Sequence, residues 1–442
     1  MFVVTFGLRN RIIPIIKIRR RSEYYVDKFL KMTEKLVGYA DAFEWAYGSD
    51  YDDYERRWKE LRGRYARVVI RTLEIGIFGE MFNRYFAMED EKKCENTLYV
   101  IIPVYSQGYI NSCPDFLKYI DACDKEETKF WLYVISHYKN EVDLSEWSRF
   151  TRRTNFKTYY TKAYSIEGKF CKEEICVGET KLHEMGINSR YGLLFARNGY
   201  YYTTMYGREP LANKLINLEF ECFNDTIKLL KSKGYQCVRT GKHEKPLADN
   251  CYDIIDYGGL FWDGFMDLYL ASKCEFAIMT ANGSTSLPWL FAKPLLMIDV
   301  AILSYCAAGD RYTEYDIFLP RKFYSITDNR YLSYLECCEV DYRIFYNKTD
   351  PEELGVRLEH NSPEEIRDAA EELIKRIEGV WDDEEVDVQN EEVFRKQWET
   401  NYKKKVNEKN EAFIAYGSGI DWRPSATFMR NNPWWLGAPQ TE

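Results

Sequence analysis

The chain has 442 residues, too many for one ordinary core, so its length points to two domains with extensions. A hydrophobic content of 45% is enough to fill those cores, and a net charge of -9 argues against generic nucleic-acid binding, which needs a basic footprint. Twelve cysteines without paired zinc spacing and four scattered histidines argue against a Cys- or His-based metal site, and there is no apolar run of transmembrane length. The cysteines read as reduced, mostly buried thiols of a cytosolic protein. Aromatic residues reach 16%, with 36 Tyr; such faces suit sugar stacking, but they fill irregular cores equally well.

In chain order, Arg9, Arg11, Lys17, Arg19, Arg20 and Arg21 make the start basic, among apolar residues too interrupted for a secretory signal. Such a segment can sit on an anionic inner-leaflet surface, or it is simply a strand or a leader. Residues 22–88 read as helical, with Tyr25, Phe29, Met32 and Leu36, then Leu61, Tyr65 and Val68, at three- and four-residue steps. Asp50-Tyr51-Asp52 matches a metal-binding D-x-D, but N-capping of a helix explains it better. Residues 97–105 predict a buried strand in which Pro103 ends the pairing, 114–123 a helix and 130–136 a second strand, together a βαβ unit. Asp115 and His137 fall near the ends of those strands, where either can serve as a general base, although surface carboxylates and satisfied histidines are commoner. Residues 151–184 read as a polar connection with short strands.

From Tyr191 the pattern alternates strand and helix, as a Rossmann-like sheet does. The second domain is expected to start with the run 191–198; strands follow at 235–241, near 255–257, at 276–279, 295–298 and 317–319, and a helix over 211–233. Arg239 ends one strand, Asp256 another, and Pro320-Arg321-Lys322 adds cations after a third; Asp267 reads as capping or pairing within its helix. Ser362 and Pro363 mark a helix start, while the acidic run 382–392 and basic run 403–409 read as solvated helix faces. The aromatic ending, Trp422 to Leu436, is predicted to pack back against the body.

Thr280-Ala281-Asn282-Gly283-Ser284-Thr285-Ser286 lies between two apolar strand runs and ahead of a short helix carrying Pro288. Backbone N–H groups at a helix start favour anions, Gly283 permits close approach, and the hydroxyls of Ser284, Thr285 and Ser286 add donors. An ordinary capped helix has the same pattern.

The run Val238-Arg239-Thr240-Gly241, then Ile255-Asp256-Tyr257, Met266 to Leu270, the Asn282-Gly283-Ser284 turn and Lys293-Pro294 resembles bacterial glycosyltransferases of surface-polysaccharide synthesis. The strand, turn and helix also resemble, more distantly, the diphosphate turn of heptosyltransferases of the two-domain GT-B fold. The resemblance covers roughly residues 191–436. It implies an α/β, GT-B-like fold of two Rossmann-like domains with a helical N-terminal extension, divided as 1–95 leader and extension, 96–185 acceptor-side domain, 186–385 donor domain and 386–442 helix and tail. A nucleotide sugar would be the donor substrate, with no other cofactor and no bound metal, and a glycan or lipid-linked molecule the acceptor. The donor would be held by Arg197, Asn198, Arg239, Gly241, Asp256, Thr280, Asn282, Gly283, Ser284, Thr285 and Ser286. In similar fucosyltransferases the arginine matching Arg197 holds the diphosphate, a role its planar fork suits. The family shows His-x-Arg followed by an acid there; this chain has Phe195, Arg197 and Asn198, keeping only the arginine. That departure motivates an alternative, a non-catalytic nucleotide- or sugar-binding protein. An NAD-type oxidoreductase is disfavoured, because no G-x-G-x-x-G follows a first strand.

Overall fold

The computed structural model describes residues 51–73, 96–103, 117–119, most of 130–143, 170, 172–200, 203, 209, 214–244, 246–247, 254–285, 287–288, 291–303, 313–407 and 423–438. The basic leader, Asp115 and Ser286 lie outside them. The chain divides into two units, one holding residues 1–154 and 169–175, the other 155–168 and 176–442.

In the first unit, α1 (Tyr51–Arg64) ends before β1 (Arg67–Leu73). The helix expected through residue 88 is therefore corrected. Val68-Val69-Ile70 is a β-branched run that favours a strand, and the spacing of Leu61, Tyr65 and Val68 spans the break. Arg62 Nη1 closes the helix end by donating to the carbonyls of Tyr65 and Ala66, at 3.2 and 2.7 Å. β1 pairs in parallel with β2 (Thr97–Pro103), whose last pair is Leu73 with Pro103. β3 (Leu117–Tyr119) stands where a helix was expected, because Leu117 to Tyr119 pair with Tyr99 to Ile101. With β4 (Val142–Asp143) the order is β3-β2-β1-β4, all parallel. The described residues of 130–137 are helical rather than strand. Phe130, Trp131, Val134 and Ile135, at helical spacing, share one face and are buried with Trp58, Val68 and Val100.

α2 (Lys172–Glu184), which belongs to the second unit from Cys176 onward, occupies part of the stretch read as a connection. A six-stranded parallel sheet follows, built of β5 (Tyr191–Phe195), β6 (Gln236–Arg239), β7 (Phe276–Thr280), β8 (Leu295–Val300), β9 (Ile317–Pro320) and β13 (Arg423–Pro424), in the order β13-β9-β8-β7-β5-β6. β5, β7, β8 and β9 are buried at every residue, as a sheet covered on both faces requires. From β5 the chain steps outward to β6 through α3 (Asn224–Ser232), then crosses β5 through α4 (Gly264–Lys273) to reach β7. This doubly wound order puts the topological switch point between β5 and β7. Of the helix expected over 211–233, α3 runs from Asn224 after a 3₁₀ turn (Phe220–Phe223), and residues 217–219 before it are not helical; there Leu218 N–H bonds the Arg197 carbonyl at 2.9 Å.

A small antiparallel sheet, β11 (Arg330–Tyr331), β10 (Lys322–Ser325) and β12 (Val356–Glu359), follows β9. After α5 (Tyr334–Asp341), the helix α6 (Pro363–Ile377) starts with the expected Ser362 cap, closed into a capping box by Glu365. In α7 (Glu385–Asn407) the acidic run is not wholly solvated: Asp387 is buried and lies 3.3 Å from Arg430 Nε. The tail packs back as expected. β13 extends the sheet beside β9, α8 (Ala426–Asn431) follows, and Trp435 is buried against Phe318, Tyr334, Phe394 and Phe428. The buried Glu372 carboxylate accepts from Ser425 Oγ at 2.8 Å and from the backbone N–H groups of Ala426 and Thr427, at 3.2 Å each.

Candidate functional site

In open parallel sheets ligands bind beyond the carboxyl ends of the strands, at the switch point. Here the strands β5 and β7 deliver Ala196-Arg197-Asn198 and Thr280-Ala281-Asn282 side by side, joined where Arg197 N–H donates to Thr280 Oγ1 at 2.8 Å. After Thr280 the chain turns on Asn282, whose Oδ1 accepts from Ser284 N–H at 2.6 Å and whose carbonyl accepts from Thr285 Oγ1 at 2.6 Å. Gly283 to Thr285 form one 3₁₀ turn, and residues 287–288 are helical. A turn this short carries little macrodipole, so an anion here would meet hydroxyls and single N–H groups rather than the end of a long helix. Thr280, Asn282, Gly283, Ser284 and Thr285 lie together in this turn.

The two arginines expected at the donor diphosphate are both held in buried ion pairs. Arg197 is buried; its Nη1 donates to Glu209 Oε1 at 2.9 Å and also to Asn217, which in turn donates to Glu209 at 2.8 Å. Arg239 is buried beside Asp256, with Nη1 3.0 and 3.2 Å from the two carboxylate oxygens and the guanidinium over the Phe220 ring. Asp256 also accepts from the N–H groups of Leu247 and Gly259, at 2.8 and 3.1 Å. Its lone pairs therefore bind its own loop, not an exposed hydroxyl.

Gly241 sits at φ +80°, and a Cβ there would come within 2.0 Å of the Phe195 ring. The Phe195 ring thus packs against a glycine that must stay a glycine. Asn198, in place of the acid, donates from Nδ2 to Nδ1 of His243 at 2.6 Å, and His243 Nε2–H donates to the Thr240 carbonyl at 3.0 Å. Both ring nitrogens are satisfied by the neutral form, and burial together with the Arg239 charge pushes the imidazole down to about 4. Next to this loop, burial raises the Asp267 carboxyl to about 7, where it accepts from Trp262 Nε1 at 3.1 Å.

His137, one of the two expected bases, is on a helix of the first unit, stacked on Tyr133 and with Nδ1 3.1 Å from the Tyr133 carbonyl. Sequence reasoning did not single out Glu209, Asn217, His243, Asp299 or His360. Each makes its contact with a residue 8 to 61 positions away, and no local spacing signals such a partner. Among the described residues no cluster of His, Cys, Asp and Glu is arranged to hold a metal ion, and no helix is long and apolar enough to cross a membrane.

No protein-family profile and no curated protein matches the chain. Among solved structures it is similar to a glycosyl transferase of family 9 from Veillonella parvula, at 12% identity and a TM-score of 0.35, covering 53% of this chain and 81% of that one. It is also similar to the E. coli heptosyltransferase WaaC with ADP, at 12% identity and a TM-score of 0.31, over 64% of this chain and 98% of that one. A third likeness is to the wall teichoic acid polymerase TagF, at 9% identity and a TM-score of 0.29, over 71% of this chain and 89% of that one. Likenesses of this extent leave the activity to be argued from the site itself.

Proposed function

We propose that the protein is a glycosyltransferase of the GT-B type, moving a sugar from a nucleotide-activated donor to a glycan or lipid-linked acceptor in surface-polysaccharide synthesis. The observation that carries this reading is the polar turn from Thr280 to Thr285 at the switch point of a doubly wound sheet, in the region where the sequence resembles such enzymes. In this reading the leaving diphosphate meets the hydroxyls and N–H groups of that turn, with no cofactor beyond the donor itself. Arg197 and Arg239, held by Glu209 and Asp256, fix the loops and lend the site only part of their charge.

That pairing also favours a second reading, a nucleotide- or sugar-binding protein without turnover, since the positive charge that would stabilise a leaving group is already matched by carboxylates. A thermal-shift screen against UDP, GDP, ADP, CMP and dTDP with their sugars tests the donor site. A ligand at a hundred times its dissociation constant stabilises the native state by about 2.7 kcal/mol. Stabilisation by one nucleotide, followed by its release from the matching sugar nucleotide, supports transfer. Stabilisation without release supports the binding protein, and no response to any nucleotide refutes both.

A further inference from the structure

On β8, the strand next to β7, the same sheet edge carries a second polar group. Asp299, near the end of β8, is 1% exposed in its side chain and adopts the left-handed conformation at φ 53°. A non-glycine residue held there inside a strand is strained, and persists only where its surroundings over-determine it. Asn361 does so from both sides. Its Oδ1 accepts from Asp299 N–H at 2.8 Å, its N–H donates to Asp299 Oδ1 at 3.1 Å, and its Nδ2 donates to the Pro320 carbonyl at 2.9 Å.

This leaves Asp299 Oδ2, which accepts from His360 Nδ1 at 2.8 Å. Because a carboxylate takes the Nδ1 proton, Nε2 carries the ring's lone pair, and Arg321 Nη2 lies 3.2 Å from it as donor. Arg321 is 4% exposed in its side chain, and its Nε has no hydrogen-bond partner among the described residues. His360 is 44% exposed, so an oriented imidazole faces solvent while the groups that orient it do not. Thr280 of the switch-point turn pairs with Ile298, the residue before Asp299, and neighbouring strands lie about 4.8 Å apart. The dyad and the turn therefore share one edge.

Resting on the transferase reading, we propose that His360 is the general base that deprotonates the acceptor hydroxyl, and that Asp299 is its positioning residue. The hydroxyl competes with Arg321 for the Nε2 lone pair. As its oxygen bonds the anomeric carbon, its proton passes to Nε2. The bond from that carbon to the donor phosphate breaks, and its electron pair leaves on the diphosphate. Asp299 keeps Nδ1 protonated and stabilises the imidazolium that forms, the logic of a carboxylate-oriented histidine.

The test uses the full chain and measures nucleotide release from UDP-, GDP-, ADP- and dTDP-sugars, with water or added glycans as acceptor. His360→Asn and His360→Gln are expected to lower kcat by about 100-fold or more while KM for the donor and stabilisation by the nucleotide stay unchanged. The acid limb of the wild-type pH profile disappears in both. Asp299→Asn, whose side chain tolerates the left-handed backbone, is expected to lower kcat without changing KM and to displace that limb. If the wild type turns over and the His360 variants match it, the base assignment is overturned while the transferase reading stands. If the wild type binds no nucleotide and releases none, both fall together.

Discussion

Removing the guanidinium of Arg239 asks whether this arginine is a clamp for a ligand or a strut for the fold. Its side chain and that of Asp256 are 9% and 7% exposed, and the contact is 3.0 Å. Arg239→Met keeps the aliphatic stem but leaves the Asp256 carboxylate buried with only the N–H groups of Leu247 and Gly259. Breaking a buried pair from one side costs about 3–5 kcal/mol, a large share of the roughly 5–15 kcal/mol that holds a domain folded. Adding Asp256→Asn removes the orphaned charge and keeps an acceptor oxygen, so the double variant is expected to be more stable than Arg239→Met alone. Urea denaturation at neutral pH, followed by tryptophan fluorescence, gives the four stabilities of the cycle. If Arg239→Met loses less than about 1 kcal/mol, in the range of an exposed ion pair, while nucleotide binding collapses, the buried-strut argument is wrong and Arg239 is a clamp.

Other outcomes follow from the same geometry. Gly241→Ala combines a left-handed backbone with a collision against Phe195 and is expected to cost about 2–5 kcal/mol, whereas Gly234→Ala, at the same φ of +80° but with open space around it, costs about 1–2 kcal/mol; equal losses in denaturant melts would remove the ring from the account. The Asp267 carboxyl is raised to about 7 in the folded state, above its unfolded value near 3.9, so the native state binds the extra proton and its stability falls as pH rises from about 4 to about 7. Asp267→Asn should remove that slope, and a wild-type slope left intact would show the carboxyl to be solvated. Trp435→Ala empties the centre of an aromatic cluster and is expected to cost about 3–5 kcal/mol and to open the tail to trypsin.

Much of the second unit was legible because its strands are continuous apolar runs separated by turn chemistry. Phe276 to Met279 and Leu295 to Ile298 read as buried strands on composition alone, and the strands found run on to Thr280 and Val300; Ser362-Pro363 read as a helix start. The first unit was harder. Residues 130–136 are apolar enough to suit a strand or a buried helix, and periodicity does not separate the two over so short a run. β1 was hidden by an accidental helical spacing across a break at Tyr65-Ala66. At the site, the turn was legible from its own residues. The electrostatics were not: whether Arg197 is a clamp or half of an ion pair depends on Glu209, and the sequence does not say which acid comes back to meet it. The fixed orientation of His360 depends likewise on Asp299, Arg321 and Asn361, three separate segments that meet only at the sheet edge.

The β13 strand covers the flank of β9 with residues that lie far along the chain, since Arg423 pairs with Ile317. Until α6 and α7 are in place, β9 presents an open row of N–H and C=O groups, a template for pairing with another molecule. Closing a contact of such long range is entropically slow. Refolding from denaturant should therefore pass through a species that associates as protein concentration rises, and β9 is the surface at which copies would join.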